Sequence, residues 1–404
     1  MGVTSSNFTG TSAFVPTRNN PACVAAVRSL GRRGINTIVG SYDENDPAFV
    51  SKYCTESVVM PDPTEGLQTY KNALLSVAAR PDVRTILPLR EEEIYTLVKY
   101  RSEFEDHVEL PLPSLEKLGV AQDRLQLIPA AEEAGVTAPE TWRFDEIESW
   151  DRNLFIKSRF AILANEYLPE QFTEDEMSSS TAVRYVPPGT EPAQEDIQTE
   201  MEHVPVVQEF VQGDGIEYSV RALCNQGDTL AMSVRRQHRG STYAGGTSAY
   251  RVSARIPRLE ETTRTLLEHI DWHGPCSVQY IKDVETDEFV LLEINPRFWA
   301  SLALDVRAGV DFPYYYWLLA NGRESQIDPD LREDIGVHRL TCELRYLKSL
   351  FTDDYPLVER PPLTEALKEF SLSFYEQPHF DFFQRDDPKP FVRNVRNVLG
   401  SYKP

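Results

Sequence analysis

The sequence predicts a mixed α/β and α+β protein. A doubly wound parallel-sheet domain is expected over residues 1–110, a domain with antiparallel sheets over 111–325, and a C-terminal extension over 326–404. Three observations carry this. The first apolar segments alternate strand, helix, strand, which is a βαβ unit and implies a parallel sheet. A proline-rich joint, ELPLPS at Glu109–Ser114, separates that region from the rest of the chain. Beyond the joint, apolar strands succeed one another through short Gly- and Asp-containing turns, as hairpins do.

Ser12–Val15 reads as the first strand. Asn20 can cap the next helix with Pro21 at its first position, Cys23, Ala26, Val27 and Leu30 form its apolar stripe, and Gly34 stops it. Ile35–Val39, Val58–Met60 and Thr85–Leu87 read as further strands, Leu67–Ala79 and Glu91–Tyr100 as helices. G-x-G-x-x-G is absent after the first strand, so a dinucleotide site is not expected there.

After the joint a helical segment containing Asp123-Arg124 runs to Gly135. Leu154–Ser158 is a strand with one basic residue, Lys157, which either snorkels from an edge or faces an anion. Residues 165–202 are polar and acidic and read as a mobile lid or an insertion, with a short β-like piece at 182–186; the lid-like subdomain spans about 155–212. Val204–Val211 is a strand, followed by a turn with Gly213 and Gly215 into another. Leu230–Val234 and Ser248–Val252 flank RRQHRGSTYAGGTS, read as an exposed tip or an anion-wrapping loop. A helix at 258–270 precedes a hairpin pairing Ser277–Ile281 with Phe289–Leu292, which brings Gln279 close to Glu293. Helices come next at 301–308 and 311–320, and one around 363–370 lies in the extension.

The chain of 404 residues carries a formal charge of −22. That argues against nucleic-acid binding, which needs a basic footprint, and resembles the acidic composition of proteins from salt-loving organisms. No apolar run is long enough to span a membrane, and MGVTSSNFTG has no secretory pattern, so a cytoplasmic location is expected. The five cysteines are scattered without C-x-x-C, which supports neither zinc nor a disulfide framework.

The chemistry concentrates in FVLLEINPRFWASLALDVRAGVDFPY, residues 289–314. A strand delivers Glu293 and Asn295 on one face, Pro296 ends it, and Arg297 comes next. Alone, E-x-N-x-R is a capped strand end. With Gln279 opposite, three oxygen donors converge beside a guanidinium, which suits Mg²⁺ carrying a nucleotide phosphate. No Ser/His/Asp or Cys/His arrangement suggests a protein nucleophile.

In order, Asp123-Arg124, Lys157, Gln208–Val211, the Gly245–Ser248 segment, Gln279 and Glu293–Arg297 resemble the ATP-grasp superfamily, of the carboxylate–amine ligase type related to carbamoyl phosphate synthetase and biotin carboxylase, over roughly residues 10–325. The resemblance implies a pre-ATP-grasp domain followed by an ATP-grasp fold. It implies ATP and Mg²⁺ (or Mn²⁺), with Gln279, Glu293 and Asn295 as metal ligands. Lys157 and Arg297 would be the catalytic cations. Lys157 and Arg124, where the family usually has lysine, would contact ATP phosphates. Glu209, Phe210 and Val211 would hold adenine, and Glu217, or in competition Asp214, the ribose. Arg236, Gly245, Gly246, Ser248 and Arg307 would face the carboxylate. The expected reaction joins a small-molecule carboxylate to an amine through an acyl phosphate; separately, the prevalence of two-fold symmetric assemblies makes a homodimer the expectation. Bicarbonate-using carbamoyl-phosphate or biotin-carboxylase chemistry, or non-catalytic ATP binding, are the alternatives.

Overall fold

The computed structural model of the chain describes residues 11–355 and 357–401. The N-terminal stretch read for a secretory pattern therefore lies outside the described residues. Strands β1 (Ser12–Thr17), β2 (Asn36–Ser41), β3 (Glu56–Val59) and β4 (Val83–Ile86) form a parallel sheet in the order β3-β2-β1-β4. The Asn20 side chain caps the helix Pro21–Gly31, accepting from Ala22 N at 3.0 Å.

That helix is buried on all sides, not along one stripe. Arg28, on its expected polar face, donates from Nε to Asp387 at 2.9 Å and from Nη2 to the Phe382 carbonyl at 2.9 Å. Asp387 also accepts from Ser51 Oγ at 2.7 Å and Lys52 N at 2.9 Å. The C-terminal extension thus locks onto the first domain. Helices Leu302–Ala308 and Phe312–Ala320 share the same core, and Tyr316 donates to the Ile86 carbonyl at 3.0 Å.

Next come β5 (Thr141–Arg143), β6 (Leu154–Lys157), β7 (Ile162–Ala164), β8 (Met177–Ser179), β9 (Val183–Val186) and β10 (Val206–Glu209). Four make a small antiparallel sheet, β5-β10-β6-β9, whose core includes Leu154, Ile156 and Val207 under the helix Gln194–Met201. Residues 170–180, within the stretch read as a mobile lid or an insertion, are tethered to the first domain. Asp175 accepts from Leu67 N at 3.0 Å and Gln68 N at 2.6 Å, and Glu174 pairs with Lys99 at 2.8 Å.

The large sheet contains β11 (Gly213–Asn225), β12 (Asp228–Thr242), β13 (Gly245–Ala254), β14 (Gly274–Asp283), β15 (Phe289–Asn295) and β16 (Gly336–His338), in the order β15-β14-β11-β12-β13-β16. Tyr218, Val220, Val234, Val278 and Ile294 bury one face beneath the helix Pro257–His269. Strand alternation turns Glu217, Ser219, Arg221 and Arg235 to the other face.

Two expectations are corrected by the strands. RRQHRGSTYAGGTS is not a long loop: β12 continues to Thr242 and β13 begins at Gly245. Arginines supply inward positions of that strand, and this masks the usual apolar alternation. The extension is also part of the large sheet, since β16 pairs with β13. Arg239 on β12 pairs with buried Glu343 of the helix Leu340–Thr352 at 3.0 Å, and His338 contacts the same carboxylate at 2.6 Å.

Candidate active site

The site grows from the end of β15. A bulge opposite Gln279/Tyr280 places Leu291 against Tyr280 but Glu293 directly opposite Gln279, so Leu291 enters the core while Glu293 faces the polar side. Glu293 Oε2 accepts from Arg124 Nη2 at 2.9 Å, and Oε1 accepts from Asn295 Nδ2 at 2.9 Å. Asn295 Oδ1 accepts from Arg297 Nη2 at 3.1 Å, and Arg297 Nε pairs with Glu91 at 2.9 Å. This chain of alternating charge links the start of the helix Arg124–Glu133, the large sheet and the helix Glu91–Lys99.

Burial raises the Glu293 carboxyl, but Arg124, the Asn295 amide, Lys157 and Arg297 outweigh it and hold the group below the usual carboxylate range. Lys157 lies on the face of β6 away from the small core. Burial and the nearby Arg124 push it down to about 8, with Glu293 opposing. Among the described residues no ion pair holds its ammonium group.

Two cavities share Glu293, Asn295, Arg297 and Thr181 as a common wall. One, of about 480 Å³, reaches Arg18, Arg90, Glu91 and Arg124. The other, of about 490 Å³, reaches the polar face of the large sheet at Glu217, Arg221, Arg235, Gly246 and Ser248. Gln279 lines the second cavity with Glu293 and Asn295.

Glu217 lines that cavity, where burial raises its carboxyl against the neighbouring Arg235. Asp214 is engaged in its own turn, accepting from Ile216 N at 3.0 Å and Tyr218 Oη at 2.7 Å. Glu209 accepts from Glu140 N at 2.9 Å, and the Phe210 amide donates to the Asn153 carbonyl at 3.2 Å. Glu209, Phe210 and Val211 line neither cavity. They sit at the link from β10 to β11, with Phe210 against Phe155.

Two expected substrate residues are misplaced. Arg236 pairs across the strands with Tyr218, whose side chain belongs to the buried apolar face, so the pleat turns Arg235 into the cavity and Arg236 away. Arg307 faces Arg332 and Arg32, not the cavities. Gly245 forms the β12–β13 turn at φ 120°, while Gly246 and Ser248 reach the cavity.

Sequence reasoning misses Arg221, Arg235 and Arg251, and from the extension Arg339 and Asp381, all of which line the second cavity. The alternation of Glu217, Ser219 and Arg221 with Tyr218, Val220 and Ala222 carries a signal for Arg221. No local pattern marks Asp381.

Among the described residues no three His, Cys, Asp or Glu side chains are grouped to hold a metal. A metal here would need the amide oxygens of Gln279 and Asn295 beside the Glu293 carboxylate. That donor set, all oxygen and facing one cavity, fits Mg²⁺ or Mn²⁺.

A family model described as "ATP-grasp in the biosynthetic pathway with Ter operon" matches residues 203–343, which include Glu217, Gln279, Glu293, Asn295 and Arg297. Among solved structures, N5-carboxyaminoimidazole synthetase from Staphylococcus aureus is 14% identical at a TM-score of 0.61, over 93% of this chain and 100% of that one. Biotin carboxylase from Campylobacter jejuni, solved as its β,γ-ATP complex, is 13% identical at 0.56, over 81% of this chain and 74% of that one. L-Amino acid ligase from Bacillus licheniformis is 13% identical at 0.55, over 80% and 78%. A search of curated proteins found no match.

Proposed function

We propose that this chain, which has the ATP-grasp fold, is an ATP-dependent ligase that activates a carboxylate as an acyl phosphate and transfers the acyl group to an amine. The observation that carries the reading is the common wall of the two cavities. Glu293, Asn295 and Arg297 are within reach of both, as residues at a phosphoryl-transfer centre between two substrates would be.

A carboxylate oxygen attacks the γ-phosphorus of ATP, the bond to the bridging oxygen breaks, and ADP leaves. The amine then attacks the acyl carbon, the C–O bond to phosphate breaks, and inorganic phosphate leaves as the nitrogen loses a proton. Glu293, Asn295 and Gln279 would hold Mg²⁺ or Mn²⁺, which when bound would supply charge neutralisation at the phosphates. Arg297 aligns and neutralises the transferring phosphoryl group, and Lys157 offers a cation to the nucleotide phosphates. Arg124 orients Glu293 and keeps it ionised. Phe155, Tyr185 and Phe210 form an aromatic wall on the small sheet where adenine would pack, with Glu209 at its edge. Glu217, not Asp214, would take the ribose hydroxyls.

The test is ATP-dependent phosphate release across a panel of carboxylates with and without amines, with the condensed product detected by mass. Phosphate release that requires a carboxylate, together with a product carrying the new amide, supports the reading. ATP turnover indifferent to every carboxylate would oppose it.

A further inference from the structure

The second cavity carries more positive charge than phosphoryl transfer alone requires. Five arginines, Arg221, Arg235, Arg251, Arg297 and Arg339, line it against three carboxylates, Glu217, Glu293 and Asp381. This occurs in a chain with net charge −22. Three of those arginines are almost wholly buried: Arg221 is 2% exposed, Arg235 5% and Arg251 1%. Buried charges are stable when paired and fully hydrogen-bonded. Here donors are left over. Arg221 gives Nη2 to Ser301 at 3.0 Å, but its Nε and Nη1 have no partner. Arg235 gives Nη2 to Glu217 at 2.8 Å and Ser219 at 2.9 Å, yet its Nε is unpartnered. Arg251 pairs with Asp381 through Nη2, while its Nε and Asp381 Oδ2 have no partner. Ser248 Oγ and Arg339 Nε on the same wall are also unpartnered.

Arg221, Arg235, Arg251, Arg339 and Ser248 come from β11, β12, β13 and the residue after β16, so four parts of the chain converge on one place. Arg297 and Glu293 lie at the opposite end of the wall, where phosphoryl transfer is proposed.

We propose that the carboxylate substrate bears a second anionic group, a further carboxylate or a phosphate ester, which the Arg221, Arg235 and Arg251 guanidiniums and Ser248 Oγ bind while its reacting carboxylate lies beside Arg297. The inference rests on the ligase reading and adds the substrate class. An extra anion supplies acceptors for the unpartnered N–H groups. A monoanionic substrate leaves those donors unmatched.

The experiment uses the full chain with Mg²⁺ and a non-hydrolysable ATP analogue, titrated calorimetrically with two length-matched pairs, butyrate against succinate and valerate against glutarate, and with glycerate against its phosphate ester, 3-phosphoglycerate. ATP-dependent phosphate release is measured with the same compounds. Succinate, glutarate and 3-phosphoglycerate are expected to bind at least tenfold more tightly than butyrate, valerate and glycerate. Whether the dicarboxylates or the phosphate ester show the larger preference identifies the second group. In Arg221→Gln and Arg251→Gln the preference should fall to below threefold, with affinity for the ATP analogue unchanged. Arg221→Lys, which keeps the charge, should retain part of it. Equal binding within every pair, or a preference that survives both glutamine variants, overturns the subsite. If a glutamine variant does not fold, the wild-type pairs and Arg221→Lys still decide it. Arginine-dependent dianion binding without phosphate release with any carboxylate keeps the subsite and removes the ligase reading. Release driven equally by monoanions does the reverse.

Discussion

Arg124 and Glu293 meet at 2.9 Å although 169 residues separate them in sequence, and each is placed by a different element. Arg124 sits at the start of a helix, and its Nη1 also donates to the Ser158 carbonyl at 2.7 Å. The guanidinium therefore bridges the small sheet to the end of β15. A lysine has one donor centre and could not span both contacts in the same way. In this structure Arg124 is engaged with Glu293 and also lines the first cavity.

Removing Arg124 should therefore act through the titration of Glu293. Arg124 holds that carboxyl down. In Arg124→Gln its pKa rises, so the acid limb of the pH–rate profile for phosphate release moves to higher pH. Arg124→Lys should shift the limb less. Superimposable acid limbs in the wild type and Arg124→Gln would contradict the assignment.

Lys157 gives a second pH dependence of opposite sense. Its pKa is lowered to about 8, so its ammonium is present below that pH and lost above it. Affinity for ATP should weaken by roughly tenfold between pH 7 and pH 9, the equivalent of about 1.4 kcal/mol. Titration of Lys157→Gln with ATP over the same range should give a nearly flat line. A wild-type affinity that does not change with pH would show that the phosphates do not meet this lysine.

Arg297 is already oriented by Glu91 and Asn295. Arg297→Ala should lower kcat for phosphate release by about 10²–10³-fold, as loss of one preorganised charge-stabilising group does. ATP binding should change far less. A comparable loss in ATP affinity would place Arg297 in ground-state binding instead.

The extension should be indispensable to stability. Asp387→Ala leaves Arg28 buried without its carboxylate, which costs roughly 3–5 kcal/mol. Urea unfolding should show this as a lower midpoint. A midpoint matching the wild type would mean that the extension does not lock the first domain.

Glu93 offers a test of stability against pH through its buried carboxyl. Burial, reinforced by Glu92 and opposed by Arg90, pushes it up to about 7. A carboxyl whose folded pKa lies above its unfolded value contributes stability at low pH, and that contribution is lost as pH rises towards 7. Thermal unfolding of Glu93→Gln relative to wild type should therefore improve from pH 5 to pH 8. A difference that stays constant or reverses would contradict the burial.

Much of the fold and part of the site are legible in sequence, for identifiable physical reasons. The βαβ start, the Asn20 cap and the convergence of Gln279 with Glu293 follow from local periodicity and turn placement. The resemblance points to Arg236, whereas the pleat turns Arg235 into the cavity; a strand rich in arginine lacks the apolar alternation that reveals which face is inward. The bulge in β15 sets the Glu293 register but leaves no composition signal. Asp381 and Asp387 owe their roles to partners on β13 and the first helix, so no window around residue 380 could disclose them.

The central claim is that a carboxylate oxygen of the substrate attacks ATP. The most direct measurement is phosphate release from a carboxylate substrate labelled with ¹⁸O in its carboxyl group, analysed by mass. One ¹⁸O is expected in the phosphate formed with each amide. Unlabelled phosphate from that substrate, with label entering only from H₂¹⁸O, would contradict it.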